Sequence, residues 1–165
     1  MDDAHLAGID MHGLPSSFDG CGIPVIAMPL NAIATAFVRL AAPDDLDADR
    51  ISAIDRITSA IAENPFMVAG SGRLCSEVIE LTGRRVLVKT GADGVYTAAL
   101  RDKNLGVALK IDDGTGEAAQ VAILAVLTKL DSLHTAELEA LATRSRAPIV
   151  NTRGVLTGYR EPAGW

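Results

Sequence analysis

Three runs decide the fold: Arg85-Val86-Leu87-Val88-Lys89, Val95-Tyr96-Thr97-Ala98-Ala99-Leu100 and Gly106-Val107-Ala108-Leu109-Lys110-Ile111. Each is short and rich in apolar or β-branched residues, and each is parted from the next by turn formers, with Asp102-Lys103-Asn104 at the second turn. This pattern predicts an antiparallel meander of three strands. On either side of it the period is helical. Ile51, Ile54, Ile57 and Ile61 recur at helix spacing after Pro43, with Asp44 or Asp45 at the cap and Asn64-Pro65 at the stop. Asn31 caps an earlier helix to about residue 41, and a short helix over 73–81 ends at Gly83. Beyond the meander, Val121, Leu124, Ala125 and Leu127 give residues 117–130 one apolar face. Thr135 caps a last helix to about residue 142, and the runs at 148–151 and 155–159 finish as one strand or a hairpin. Residues 1–17 show no period and read as an irregular segment; residues 19–29 read as a turn bounded by Gly and Pro. The expectation is a single domain over 1–165 of α+β class, an antiparallel sheet flanked by helices.

Composition narrows the function classes. The 165 residues are 48% hydrophobic and 22% charged, enough apolar material for one core. No apolar run reaches the roughly 20 residues that span a bilayer, so no membrane partner is expected. Net charge is −6 and the Lys and Arg residues are scattered, which argues against nucleic acid. The run Met1-Asp2-Asp3-Ala4-His5 has neither a basic start nor an apolar stretch, and the expected location is cytoplasmic. Cys21 and Cys75 are far apart and form no Cys-x-x-Cys pair.

Several motifs could carry chemistry. In Asp19-Gly20-Cys21-Gly22-Ile23-Pro24 two glycines flank a cysteine that could bind a soft metal or attack a carbonyl, with Asp19 as acid, base or supporting acceptor. The alternative is a structural cysteine in a tight turn. Lys89-Thr90-Gly91 closes the first strand and matches one of the three marks of penicillin-recognising serine enzymes, in which the lysine brings positive charge beside a serine nucleophile. A solvated lysine at a strand end is the plainer reading. Gly70-Ser71-Gly72-Arg73 leads into a helix whose free N–H groups could hold a carboxylate, or is simply the turn that starts it. Asp112-Asp113-Gly114 reads as a turn and cap. His5, His12 and His134 fall in no metal-binding pattern, and Ser16, Ser17, Ser71, Ser76, Thr90 and Thr97 have no base at a telling spacing.

Four blocks in order, Phe18-Asp-Gly-Cys-Gly-Ile-Pro24, Gly70-Ser-Gly-Arg73, Val88-Lys-Thr-Gly-Ala-Asp-Gly-Val-Tyr96 and Gly106-Val-Ala-Leu-Lys-Ile-Asp-Asp-Gly114, together with Asn151-x-x-Gly154 and Gly158-Tyr-Arg, resemble the L-asparaginase II family of the Rhizobium etli type. The resemblance implies a fold like that of serine β-lactamases and glutaminases, and hydrolysis of L-asparagine to aspartate and ammonia by serine and lysine pairs. It implies that Lys89 is the catalytic lysine, that Asp19, Gly70, Arg73 and Gly91 contact substrate, and that Cys21 is one ligand of a zinc ion. It also implies a further stretch of chain, ahead of the first block, with a Ser-x-x-Lys pair and the other zinc ligands. No Ser-x-x-Lys occurs in these 165 residues. The expectation is therefore the C-terminal half of an amidohydrolase, inactive alone, either truncated or encoded separately and completed by an N-terminal-half partner chain, with a homo-oligomer as the other assembly. A catalytically silent amino-acid-binding or assembly module is the rival, and a hydrolase using Cys21 ranks last.

Overall fold

The computed structural model describes residues 6–164. The run Met1–His5, and with it His5, lies outside the described residues. Among the described residues the order is β1 (Ser16–Phe18), β2 (Pro24–Ile26), α1 (Leu30–Ala41), α2 (Ala48–Glu63), α3 (Pro65–Ala69), α4 (Leu74–Thr82), β3 (Val86–Thr90), β4 (Val95–Leu100), β5 (Leu105–Lys110), α5 (Gly116–Lys129), α6 (Thr135–Ala140), α7 (Ala142–Ser145), β6 (Ala147–Val150) and β7 (Leu156–Arg160). The class is α+β, with three small antiparallel sheets ordered β1-β2, β3-β4-β5 and β6-β7.

The central meander is where the sequence placed it. Val86 pairs with Leu100 and Thr90 with Tyr96; Val95 pairs with Lys110 and Leu100 with Leu105. Paired residues share a face and successive residues alternate. One face therefore carries Leu87, Lys89, Thr97, Ala99, Gly106 and Ala108; the other carries Val86, Val88, Tyr96, Ala98 and Leu100. Most of β4 is buried, as expected for the middle strand of three.

Helix α1 lies on the first face, held close by an absence of side chain. A Cβ at Gly106 would sit 2.2 Å from the Ala34 carbonyl oxygen and 2.4 Å from the Val38 nitrogen, so the helix backbone rests directly on the strand. Helix α4 lies on the second face: its Cys75 Sγ is 3.0 Å from the Tyr96 hydroxyl, and Val78 and Ile79 are fully buried beside it. Helix α5 adds Ile123, Leu124 and Leu127 to the same core. Two ion pairs tie the C-terminal helices to this body. Arg144 grips Glu77 of α4 from α7, and Arg85 at the head of β3 reaches Glu137 of α6 and the Ser132 carbonyl.

The element boundaries depart from the sequence pattern for local reasons. Helix α1 starts at Leu30 behind Pro29, and Asn31 sits inside its first turn rather than capping it. Helix α2 begins at Ala48, because Asp47 rather than Asp44 or Asp45 accepts the Arg50 amide at 3.0 Å. Pro65 does not end the helical region but opens the extra turn α3, proline being well suited to a first helical position. The last helix divides at Leu141 into α6 and α7, and His134 rather than Thr135 occupies the cap. The turn read over 19–29 contains β2, and β1 begins at Ser16. The runs at 148–151 and 155–159 form a hairpin rather than one strand.

Two expectations follow. Gly106→Ala drives a methyl group into the α1 backbone and costs roughly 1–3 kcal/mol, read as a lowered denaturant midpoint with unchanged slope. Burial of the Glu137 carboxyl opposes its ionisation, but its hydrogen bonds from Arg85 and from the His134 amide prevail and hold it below its ordinary value of 4.5. A depressed folded-state value means that this stabilisation is present above pH 4.5 and is lost as pH falls through the lower folded value. Acid unfolding of Glu137→Gln, followed by circular dichroism, should therefore show a shallower loss of stability below that pH than the parent chain shows.

Candidate functional site

Lys89 stands near the end of β3, on the face covered by α1. The backbone bonds Arg101 N to Arg85 O and Gly91 N to Val95 O, at 2.9 Å each, fix which residues of β3 turn their backbone groups toward β4. By alternation, Val86, Val88 and Thr90 present theirs to the opposite edge, which no strand among the described residues covers. The Lys89 ammonium folds back and donates to the Thr90 carbonyl at 2.8 Å. The Lys89 carbonyl accepts the Thr97 hydroxyl at 3.0 Å. Gly91 follows in the exposed β3–β4 turn, where a Cβ would meet Val95 Cβ at 3.1 Å.

Beside Lys89 lies a cleft of about 180 Å³, lined by Phe37 and Leu40 of α1, Ile57, Thr58 and Ile61 of α2, Val68 of α3, and Leu87 and Val88. Its other polar side chain, Thr58, has its one O–H donor committed. The Thr58 hydroxyl donates to the Ile54 carbonyl at 2.8 Å and accepts from Arg84 Nη2 at 2.7 Å. The spacing of Ile51, Ile54, Ile57 and Ile61 placed a helix without saying which of them is buried. In the structure Ile54 is buried while Ile57 is 52% exposed at the rim of the cleft, a division that spacing alone could not reveal.

The Gly70–Arg73 turn is linked to this region indirectly. Val68, two residues before Gly70, lines the cleft. The buried Ser76 hydroxyl reaches the Pro65 and Gly70 carbonyls, at 3.0 and 2.8 Å, and so ties α3 to α4. Gly70 takes φ +90°, which a side chain would resist. Arg73 is exposed at the start of α4, and Arg144 Nη2 binds the Gly72 carbonyl at 2.8 Å. Two residues on, Cys75 meets Tyr96, whose phenol is pushed far above its ordinary value by burial first and by the Cys75 hydrogen bond second. That thiol–phenol contact escaped the sequence reading, because 21 residues separate the partners and no spacing rule joins them.

Asp19 and Cys21 are built differently, on the turn of the β1–β2 hairpin. Asp19 Oδ1 accepts the amides of Cys21 and Ile23 at 2.9 and 3.1 Å, and the Asp19 carbonyl accepts Gly22 N at 3.0 Å. The Cys21 side chain and amide, then the Ile23 amide, hold this exposed carboxyl below its usual range. Phe18 is 73% exposed and every residue from 15 to 27 is exposed. No hydrogen bond or ion pair among the described residues joins Asp19, Cys21, Gly70 or Arg73 to Lys89. Asp113 Oδ1 accepts the Thr115 amide at 2.8 Å, a turn role.

Among the described residues the fit for zinc fails. No three of His, Cys, Asp and Glu among the described residues gather where one ion could be held, and zinc sites take three or four protein ligands. Nor do the described residues give Lys89 a nucleophile. Ser76 is spent on two carbonyls, and no serine or threonine hydroxyl is among the partners of the Lys89 ammonium.

A family model of L-asparaginase II matches residues 3–162. The chain belongs to the L-asparaginase II family, which points to an asparaginase-like amidohydrolase. No curated protein matches the chain. No helix of the described residues is long and apolar enough to cross a membrane.

Both cysteines are free, Cys21 exposed and Cys75 buried. Ellman's reagent should consume one thiol in the native protein and the second only after unfolding, and Cys21→Ser should remove the native reaction.

Proposed function

We propose, on the premise of membership in the L-asparaginase II family, that this chain contributes Lys89 to the hydrolysis of L-asparagine. The observation that carries the reading is the position of that ammonium. It is exposed next to a cleft, on a strand whose outer edge no described strand covers, and among the described residues it is held by a backbone carbonyl. In this scheme a serine supplied from outside these 165 residues attacks the side-chain amide carbon, its proton having passed to an amine base. The C–N bond breaks, ammonia leaves, and water then hydrolyses the acyl-serine to release aspartate. Lys89 is placed to take or return the proton, or to hold the developing oxyanion.

The finer identity is of the Rhizobium etli type, on a fold like that of serine β-lactamases and glutaminases. The meander with helices on both faces and the Lys-Thr-Gly strand end support it. Asp19, Gly70, Arg73 and Gly91 would line the substrate side of the completed site. Cys21 would become a zinc ligand only with donors from the same complementing segment, and no step is routed through the metal. The exposed apolar residues Phe18, Ile23 and Val25 of the hairpin support a covering partner of this kind. Two unpaired cysteines are in keeping with a cytoplasmic setting.

A second reading, a silent amino-acid-binding or assembly module, is favoured by one observation: among the described residues no hydroxyl is bonded to the Lys89 ammonium. Ammonia release decides between the two. The pure chain should release none from L-asparagine. Mixed with the Ser-x-x-Lys-bearing half of a family member it should turn over, and Lys89→Met should cut that rate by about 10²–10⁴-fold. A folded complex that stays silent would establish the binding module instead.

A further inference from the structure

We propose that the cleft beside Lys89 binds a small apolar monocarboxylate, with its hydrocarbon body among Phe37, Leu40, Ile57, Ile61 and Val68 and its carboxylate on the Lys89 ammonium. This does not rest on the amidohydrolase reading; the cleft needs no nucleophile to bind.

Size comes first. The cleft holds about 180 Å³, and an apolar protein cavity of about 150 Å³ takes up benzene. A body of roughly six to eight carbons therefore fills it, whether an aliphatic chain or one aromatic ring. Polarity comes next. Thr58 already donates its one O–H to Ile54, so it can donate to a ligand carboxylate only by breaking a bond inside α2. The floor is otherwise hydrocarbon, and a polar group brought there would lose its water without replacement, at a cost of about 1–3 kcal/mol.

Charge fixes the head group. Among the described residues, Lys89 is the one charged residue of the lining. One of its three N–H bonds goes to the Thr90 carbonyl among the described residues, leaving two for a carboxylate. Leu87 and Lys89 are two apart on one strand and share a face, which sets the cationic end one side chain along from the apolar floor. The ammonium is exposed, so a carboxylate meeting it keeps part of its hydration while the tail is dried. A free α-amino acid matches poorly, because its own ammonium finds no carboxylate in the lining to pair with.

Calorimetric titration of the full chain at pH 7 with hexanoate and with phenylacetate tests this, with 1-hexanol and L-asparagine as comparisons. Amide shifts of labelled protein would locate the binding. Hexanoate should bind one to one, at least tenfold more tightly than 1-hexanol, and should shift the amides of Ile57, Val68 and Lys89. Lys89→Met, which keeps the stem and removes the charge, should bring hexanoate down to the level of hexanol. Ile57→Trp, at an exposed rim position where folding is preserved, should close the cleft to both. The proposal is overturned if neither carboxylate saturates, if Lys89→Met binds hexanoate as the parent does, or if L-asparagine displaces hexanoate at equal concentration. None of these outcomes bears on ammonia release from the complemented chain, so the two readings fail separately.

Discussion

The contact on which the rest of this structure depends is the seating of α1 on Gly106. Because the strand offers no Cβ there, the helix backbone sinks to the level normally taken by side chains. That depth fixes the covered face of the meander, and it brings Phe37 and Leu40 down over Leu87, beside Lys89. A larger residue would lift α1 and widen the cleft from above. The character of the site, a dry floor with one charged side chain, is thus set by a glycine on the far strand of the sheet.

The opposite face works by ordinary close packing. Val78, Ile79, Val86, Leu100 and Ile123 are fully buried there, and at about 25 cal/mol per Å² of apolar surface such residues supply most of the driving force. A polar contact on this face, Cys75 with Tyr96, satisfies a phenol that would otherwise be stranded in hydrocarbon. The larger core and the candidate lysine accordingly lie on different faces of the meander. The larger core lies on the α4 side, and the α1 side carries Lys89.

The meander was legible because alternation and turn residues agree along its whole length, and α4 was legible because Gly83 ends it. Boundaries governed by one side chain were not. Asp44, Asp45 and Asp47 are equivalent in pattern, and only the Asp47 carboxylate meets an amide. Of the site, the residue types were readable and their grouping was not. Lys89 and Gly91 are neighbours in sequence and remain so in space, whereas the cleft beside Lys89 draws on three helices whose approach depends on tertiary packing. The isoleucine stripe of α2 illustrates the limit: Ile54 and Ile57 differ by less than one helical turn, yet one is core and the other is rim.

The hairpin that carries Cys21 is held by local bonds. Its turn is set by Asp19, through bonds spanning at most four residues, and not by burial, since its apolar side chains face outward. Such a loop is preorganised: little conformational entropy remains to be lost when another surface closes on it. Its recognition would then be limited by encounter and fit rather than by refolding, and the same carboxylate that shapes the loop would be the first negative charge an approaching cation meets.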